Sequence, residues 1–380
     1  MRMYIGLDVH SKQTTYVAQD EQGQVLEQGE FPTSEEGLGM VLNKLPAPPG
    51  TKVGLETGTQ AQWVAGLLAK RGMNPQVIDA REVRAKARRV GQKSDSRDAF
   101  EICDGLRRDI YQAIVYLPPA ELQRLRRIIS RRRHFVRLRT GQVNAAKFLL
   151  RQAGVGGVTA KKLAHLQAWE ELLARPEVEE FREYLARHAA VWQVAHQQVV
   201  ELDEELKKAL QPFAAVEQRL RTAPGVGPIT AATYIAALGT PDRFPDSGHV
   251  ASYIGIIPST YDSGERERHG RITKRGNAEL RAMLCEAAQQ AARPANPLHP
   301  YFVRVCAKSG YKKAVVTVAH RLARILWQMW RKKEDFDEKQ LNVEYTPKVV
   351  EKVVLYRLKR PALTATGPGG LKGERSRAVR

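Results

Sequence analysis

The chain has 380 residues, which corresponds to two or three domains at roughly 100 to 200 residues each and excludes a peptide or a small disulfide-stapled fold. Lysine and arginine number 61 against 41 aspartates and glutamates, and the net charge of +20 favours a polyanionic partner such as nucleic acid. No stretch approaches the ~18 uncharged apolar residues that span a bilayer, and residues 1–12 do not resemble a signal peptide. We therefore expect a cytoplasmic, nucleoid-associated protein with no membrane partner.

Short apolar runs alternate with helical patterns over the first hundred residues. Strands are predicted at residues 3–8, 14–18, 24–31, 52–56 and 76–79. A capping-box pattern at residues 33–36 opens the first helix, and further helices are predicted at residues 60–70 and 80–90. The order βββαβαβα predicts an α/β domain with a mixed sheet covered by helices.

Four carboxylates stand at the ends of these elements. Asp8 closes the first strand and Glu56 closes the fourth. Asp95 and Asp98 are three residues apart at the start of a helix, so they share one face. Convergent carboxylates repel one another and are tolerated around hard cations such as Mg²⁺, which take oxygen ligands. The set therefore predicts a metal-dependent phosphodiester site.

Each of these acids also has an ordinary structural interpretation. Asp8 and Glu56 are acceptable as polar residues at strand ends. Asp95 can cap a helix N-terminus, and the helix dipole favours Asp98 in the first turn. Taken together, in this order on these elements, the four favour the metal site.

Two long helices are predicted in the middle of the chain. Apolar residues recur every seven positions from Leu122 to Leu150, and steps of four and three continue from Phe181 to Ala209. We expect the two helices to pair across residues 154–157 as an antiparallel coiled-coil arm. This arm would occupy residues 116–213 and follow the α/β domain at residues 1–115.

The first long helix carries a basic face. Its candidate nucleic-acid contacts are Arg124, Arg127, Arg131 and Arg132. A run of one sign indicates phosphate contact, because a solvated face usually mixes charges. The alternative is a solvated helix or an oligomer contact paired with acids.

The mainly helical third domain, residues 214–338, contains two further candidate sites. Gly225 and Gly227 lie between two helical segments, as in a helix-hairpin-helix that presents backbone N–H groups to a DNA phosphate, with a plain helical hairpin as the alternative. Ser263 lies in a polar, basic stretch between an apolar strand-like run and a helix that begins near Asn277, and composition alone favours a turn serine there. The neighbouring cations are Arg266, Arg268, Lys274 and Arg275. Residues 339–380 form a basic tail.

Several segments resemble the insertion sequence 110 family of transposases. Its RuvC-like domain is similar to GLDVH at residues 6–10, LET at 55–57 and KSDSRDA at 93–99. Its transposase domain is similar to GIIP at residues 255–258, SG at 263–264, ITKRG at 272–276 and LR at 280–281. The resemblance implies a ribonuclease-H-like fold, which agrees with the element order.

The resemblance also implies a mechanism. Mg²⁺ would be held by Asp8, Glu56, Asp95 and Asp98, and Ser263 would be the nucleophile that forms a covalent phosphoserine. The implied partners are donor DNA, target DNA and a non-coding bridge RNA that guides recombination. Dimers that assemble into a tetramer are implied as well, and a composite site between protomers is compatible with carboxylates and serine in different domains.

Two other functions remain open at this point. A junction resolvase of the RuvC type would use the same carboxylates with metal-activated water and would leave Ser263 idle. A nucleic-acid-binding protein without enzymatic activity would leave the carboxylates idle. Both use fewer of the sequence features than a recombinase does.

Overall fold

The computed structural model describes residues 2–86, 95–263 and 266–341, without the side chains of residues 260–263, 266–269 and 340. The chain divides into two units, Met1–Pro118 and Pro119–Arg380. Each unit buries its own apolar residues. The further division of the second unit into an arm at residues 116–213 and a transposase domain at residues 214–338 stays a prediction.

A five-stranded mixed sheet forms the centre of the first unit. Its strands are β1 (Tyr4–Val9), β2 (Gln13–Gln19), β3 (Val25–Pro32), β4 (Lys52–Glu56) and β5 (Asn74–Ile78). In the order β3-β2-β1-β4-β5, the first three strands pair antiparallel, and β4 runs parallel to both β1 and β5. The prediction of a mixed sheet with helices is confirmed, and the order is consistent with a ribonuclease-H-like fold.

Helices cover both faces of this sheet. They are α1 (Glu35–Lys44), α2 (Ala61–Lys70), α3 (Ala80–Lys86) and α4 (Asp95–Arg107). Leu7 and Leu55 belong to a buried cluster with residues of α1 and α2. Because strand side chains alternate between faces, Gly6 and Gly54 lie on the opposite face, and there they contact α4.

The second unit is helical apart from one β-hairpin. Its helices are α5 (Ala120–Gln152), α6 (Leu166–Leu173), α7 (Arg182–Ala209), α8 (Ala214–Arg221), α9 (Pro228–Leu238), α10 (Ser247–Ile254), α11 (Ala278–Gln289), α12 (His299–Ser309) and α13 (Tyr311–Lys332). The hairpin consists of β6 (Pro258–Ser263) and β7 (Arg266–Ile272). Helix α9 is buried along its length, because small residues such as Ala231 and Ala232 let neighbouring helices approach. No helix in the described ranges is long and apolar enough to cross a membrane.

Helices α5 and α7 pair antiparallel. Arg132 near the start of α5 contacts Asp203 near the end of α7, whereas Gln142 further along α5 contacts His188 near the start of α7. Between them the chain forms α6, which the heptad analysis did not predict. Trp169 of α6 is fully buried and lies 5.8 Å from the ring of Trp192, so the far end of this pair has its own core.

The apolar run before Ser263 is a helix where a strand-like run was expected. Asp246 caps the N-terminus of α10 by accepting bonds from the backbone N–H groups of Gly248 and His249. Gly255 ends the helix in the left-handed conformation at φ 74°. Since both signals are caps and not part of the apolar pattern, the pattern alone did not distinguish a short buried helix from a strand.

Candidate active site

The register of the sheet places two of the predicted carboxylates next to each other. Leu7 of β1 is opposite Leu55 of the parallel strand β4, so Asp8 and Glu56 occupy the next positions of the same two strands. Asp8 lies two residues after Gly6, and Glu56 lies two residues after Gly54. Because residues two apart in a strand share a face, both carboxylates lie on the face of the sheet that contacts α4. The ends of the two strands thus present two carboxylates on one side of the sheet.

Helix α4 approaches this face closely because Gly6 has no side chain. A Cβ atom at Gly6 would lie 2.2 Å from the carbonyl oxygen of Ala99, a separation that real Cβ atoms do not show. Asp95 and Asp98 stand in the first turn of α4, just before Ala99. The close approach therefore places the helical carboxylates near the strand-end carboxylates.

His10 completes the cluster, although the sequence analysis did not select it. Its Nε2 lies 3.1 Å from Oδ2 of Asp8 and 3.5 Å from Oδ1 of Asp95. Its position two residues after Asp8, directly beyond the end of β1, was the available signal. Among the described residues, Asp8, His10 and Asp95 form a group whose ligand atoms lie within 4.8 Å of one another.

The electrostatics of Asp8 reflect this crowding. Burial raises the pKa of the Asp8 carboxyl above its ordinary value, and the charges of Asp98 and Asp95 raise it further, while His10 lowers it. Only 14% of the Asp8 side chain is exposed, against 55% of Asp95. A largely buried carboxylate beside two others is stabilised by a cation, so the donor set fits a hard divalent metal.

Glu56 and Asp98 lie outside that 4.8 Å group. Burial raises the pKa of Tyr111, and the charges of Glu101 and Glu56 raise it further, which places Glu56 near the α4 side of the sheet. Asp98 acts on the pKa of Asp8 through its charge. The structure therefore brings Asp8 and Asp95 together with His10 and places Asp98 and Glu56 nearby.

The predicted nucleophile belongs to the β-hairpin of the second unit. Ser263 ends β6 and pairs in register with Arg266 of β7. The side chains of Ser263, Arg266 and Arg268 lie outside the described residues, as do residues 264 and 265. The geometry of this nucleophile thus stays a prediction.

The cations that follow the hairpin have a defined backbone. The N–H of Lys274 donates to the carbonyl of Gly255 over 3.1 Å, and a Cβ at Gly255 would meet the carbonyl oxygen of Arg275 at 1.8 Å. Lys274 itself adopts φ 55°, an uncommon conformation for a residue with a side chain. Both cationic side chains are exposed, so a tightly packed loop presents them to solvent.

The two glycines of the predicted helix-hairpin-helix have different roles. Gly225 adopts φ 84°, and a Cβ there would meet the carbonyl oxygen of Ala287 at 2.5 Å, so packing against α11 requires glycine. Gly227 is the N-cap of α9, and a Cβ there would meet no atom of the described residues within 4 Å. Open space at the Cβ position of this N-cap residue is compatible with an approaching phosphate.

The basic face of α5 divides into paired and unpaired arginines. Arg124 lies 3.5 Å from Glu205, and Arg132 contacts Asp203, both on α7. Arg127 and Arg131 are exposed and have no carboxylate partner among the described residues. Arg124 and Arg132 therefore fit the alternative in which the basic face is paired with acids. For Arg127 and Arg131, contact with phosphate stays a prediction.

Two family comparisons match most of this architecture. Residues 5–154 match the model of a transposase domain named for its DEDD carboxylates, and residues 217–303 match a model described as transposase, IS116/IS110/IS902 family. The fold, the carboxylate cluster and these matches define a transposase, an enzyme that acts on DNA. The chain belongs to the IS110/IS116/IS902 family, which confirms the resemblance.

Individual proteins are similar over most of their length. A Sinorhizobium fredii protein that carries the name putative transposase is 28% identical over 76% of this chain and 75% of its own length. The transposase for insertion sequence element IS1111A of Coxiella burnetii is 25% identical over 70% of this chain and 73% of its own. The transposase for insertion sequence element IS1328 of Yersinia enterocolitica is 26% identical over 73% of this chain and 83% of its own length.

Proposed function

We propose that this transposase recombines DNA through a covalent phosphoserine intermediate whose formation is assisted by Mg²⁺ at the four carboxylates. The observation that carries the proposal is the convergence of Asp8, Asp95 and Asp98 where β1 and α4 meet, with Glu56 on the adjacent strand. Such a cluster is costly to the fold unless a cation compensates its charge.

Asp8, Glu56, Asp95 and Asp98 would hold the metal, with the His10 nitrogen adjacent to Asp8 and Asp95. When bound, Mg²⁺ supplies Lewis acidity that offsets the charge developing on the scissile phosphate. The protein's own contribution is to fix the ligands, and the packing of α4 on Gly6 and Gly54 gives them a rigid base.

Ser263 supplies the covalent step. Its hydroxyl oxygen forms a bond to the phosphorus, and the bond from that phosphorus to one deoxyribose oxygen breaks. The serine proton is lost through solvent and the departing sugar oxygen gains one, so the number of phosphoester bonds is unchanged. This conserved bond energy allows a second sugar hydroxyl to reverse the step on another strand. Lys274 and Arg275, with Arg266 and Arg268, would neutralise the phosphate.

The nucleic-acid contacts are part of the same proposal. The antiparallel helices α5 and α7 would act as a coiled-coil arm, on which Arg127 and Arg131 are exposed and, among the described residues, free of acid partners. Residues 214–238 would act as a helix-hairpin-helix, with Gly227 next to a DNA phosphate. Guidance by a bridge RNA and assembly of dimers into a tetramer complete the proposal.

The test is to detect the covalent adduct. Purified protein is incubated with Mg²⁺, DNA that spans the end of its insertion element and the flanking transcript. Denaturing electrophoresis and mass spectrometry then report any peptide linked to DNA. We expect an adduct on Ser263 that is absent from Ser263→Ala and from Asp8→Ala, and that requires the transcript.

Matched controls separate this proposal from a junction resolvase. Ser259→Ala removes another hairpin hydroxyl, which bonds the carbonyl of Arg271 over 2.9 Å, and should leave the adduct intact. Cleavage that survives Ser263→Ala and leaves no adduct would instead assign metal-activated water as the nucleophile. Cleavage without the transcript would refute the guide RNA.

A further inference from the structure

A basic pocket lies between α12 and α13 of the second unit, away from the residues used so far. We name it the arginine pocket and define it by Tyr301, His320, Arg321, Arg324 and Gln328. Its cavity measures about 330 Å³, and no carboxylate among the described residues lines it. Arg304 of α12 contacts the ring of Tyr301, one of the lining residues.

Tyr301 holds two positive charges in place. The guanidinium carbon of Arg321 lies 4.7 Å from the centre of the Tyr301 ring, and that of Arg304 lies 5.3 Å from it. Cation–π contacts of this kind order the side chains without neutralising them. Two guanidinium groups therefore share one aromatic ring in the same part of the surface.

The other contacts of these arginines are also neutral. Arg321 donates to the carbonyl oxygen of Leu341, and Nε of Arg324 donates to the hydroxyl of Ser247 over 3.0 Å. A guanidinium has five N–H donors in a fixed plane, so one such bond leaves most of its donors unused. Within the described part of the chain, both arginines are therefore preorganised and carry charge that no acid neutralises.

Three acids line a neighbouring cavity, and each has a partner of its own. Glu334 lies 3.8 Å from Lys332, Asp335 lies 3.9 Å from Arg219, and Asp337 accepts a hydrogen bond from the backbone N–H of Lys339 over 2.9 Å. Burial lowers the pKa of His320, and the charge of Arg324 lowers it further. The contribution of Arg324 to this shift reflects positive charge inside the pocket.

We propose that the arginine pocket binds a phosphodiester group of the DNA backbone. Guanidinium groups that no neighbouring acid neutralises select an anion, and Arg matches the geometry of phosphate oxygens. Tyr301 already carries a guanidinium on its ring, so the pocket offers phosphate contact and not a platform for base stacking. DNA is chosen over other phosphates because the family acts on DNA. The inference does not depend on the phosphoserine mechanism.

The test measures the salt dependence of DNA binding. Fluorescence anisotropy of a labelled DNA duplex of about 30 bp gives the association constant of the full chain between roughly 50 and 200 mM salt, without Mg²⁺. Each phosphate contact contributes about 0.9 to the slope of log K against log salt. We expect Arg321→Gln combined with Arg324→Gln, which together remove this one phosphate contact, to reduce that slope by about 0.9 and to weaken binding at every salt concentration.

A charge-matched control and a second variant keep the test specific. Lys44→Gln combined with Arg187→Gln removes two charges that are paired with Glu27 and Glu183, and should change the slope little. Gln328→Glu adds a negative charge to the exposed wall of the pocket without removing an arginine, and should weaken binding too. Unchanged thermal unfolding of each variant establishes that it is folded.

Three results would overturn the inference. The first is an unchanged slope in the folded pocket variants. The second is an equal reduction of the slope in the charge-matched control, which would indicate that DNA binding depends on the net positive charge of the protein and not on this pocket. The third is a loss seen with an RNA duplex of the same sequence but not with DNA. The first of these results, combined with binding of inorganic phosphate to the wild type in a parallel calorimetric titration, would assign the pocket to a free anion.

Discussion

At the scale of single residues, Asp8 combines a functional position with an unfavourable environment. It is largely buried at the end of a strand, faces the charges of Asp95 and Asp98, and has His10 as its contacting cation when that ring is protonated. Such a carboxyl group is protonated more readily than an ordinary one, and its charged form weakens the fold at neutral pH. Functional sites commonly retain strain of this kind because the bound ligand relieves it.

The first prediction concerns the pH dependence of this cost. Because the pKa of Asp8 is raised in the folded state, the native protein binds its proton more readily than the unfolded chain does. The carboxylate therefore destabilises the fold as pH rises through the interval between the unfolded and folded pKa values. We expect Asp8→Asn to raise the thermal midpoint of the metal-free protein at neutral pH, with the gain vanishing at acidic pH.

The same variant should lose the response to metal. A ligand at about 100 times its Kd stabilises a protein by about 2.7 kcal/mol, so Mg²⁺ should raise the wild-type midpoint but not that of Asp8→Asn. Asp109→Asn is the matched control, because Asp109 is exposed and its left-handed φ of 53° suits asparagine. A control that behaves like Asp8→Asn would contradict the role of Asp8.

At the scale of elements, the site exists because α4 lies directly on two strands. Gly54 repeats the arrangement at Gly6, since a Cβ there would meet the Cγ2 atom of Ile102 at 2.9 Å. A helix that starts with carboxylates and packs on side-chain-free strand positions brings its first turn to the strand ends. Helix packing, as much as the acids themselves, therefore defines the cluster.

The second prediction tests this packing. Gly6→Ala places a methyl group against the backbone of α4 at Ala99 and Cys103, which cannot move without displacing the helix. We expect a loss of about 1–3 kcal/mol in unfolding free energy, the usual cost of overpacking. The Mg²⁺-induced rise in thermal midpoint should also fall. Thermal unfolding with and without Mg²⁺ measures both.

A glycine in open space gives the control for this substitution. Gly66 lies on the exposed side of α2, and a methyl group there would meet no atom of the described residues within 4 Å. Gly66→Ala should keep the metal response and stabilise the helix by up to about 1 kcal/mol. A Gly6→Ala protein as stable and as responsive as the wild type would show that α4 does not position the ligands.

At the scale of the whole molecule, each unit has a separate apolar core. Leu55 is fully buried in the cluster between the sheet and helices α1 and α2, and Leu322 is fully buried among the helices of the second unit. Separate cores make separate unfolding transitions the expected behaviour. The +20 charge is a property of the complete chain and favours association with polyanions.

The third prediction uses one substitution in each core. Leu55→Ala should lower the midpoint temperature of one calorimetric transition, and Leu322→Ala that of the other. Each substitution should reduce the unfolding free energy of its unit by about 2–5 kcal/mol, the usual cost of truncating a buried leucine. Met40→Ala removes a side chain that is 72% exposed and should shift neither transition appreciably. If both leucine variants shifted the same single transition, the two units would unfold together.

Local patterns accounted for much of the fold. The five strands and the long helices α5 and α7 were predicted near their observed positions, because alternation and helical spacing depend on neighbours in the chain. Helix α6 was missed because it is short and because Trp169 is buried only where α5 and α7 enclose it. The helical identity of residues 247–254 depended on the caps at both ends.

Sequence alone determined which residue types were available: four carboxylates at element ends, a one-sign helix, glycine-rich turns and an excess of positive charge. These follow from composition and spacing, which need no knowledge of distant contacts. Only the tertiary structure decided that His10 joins Asp8 and Asp95, that Arg124 and Arg132 are paired with acids of α7, and that Arg321 and Arg324 line a pocket beside Tyr301. Charge compensation and packing depend on which segments meet in space, and no local pattern records that.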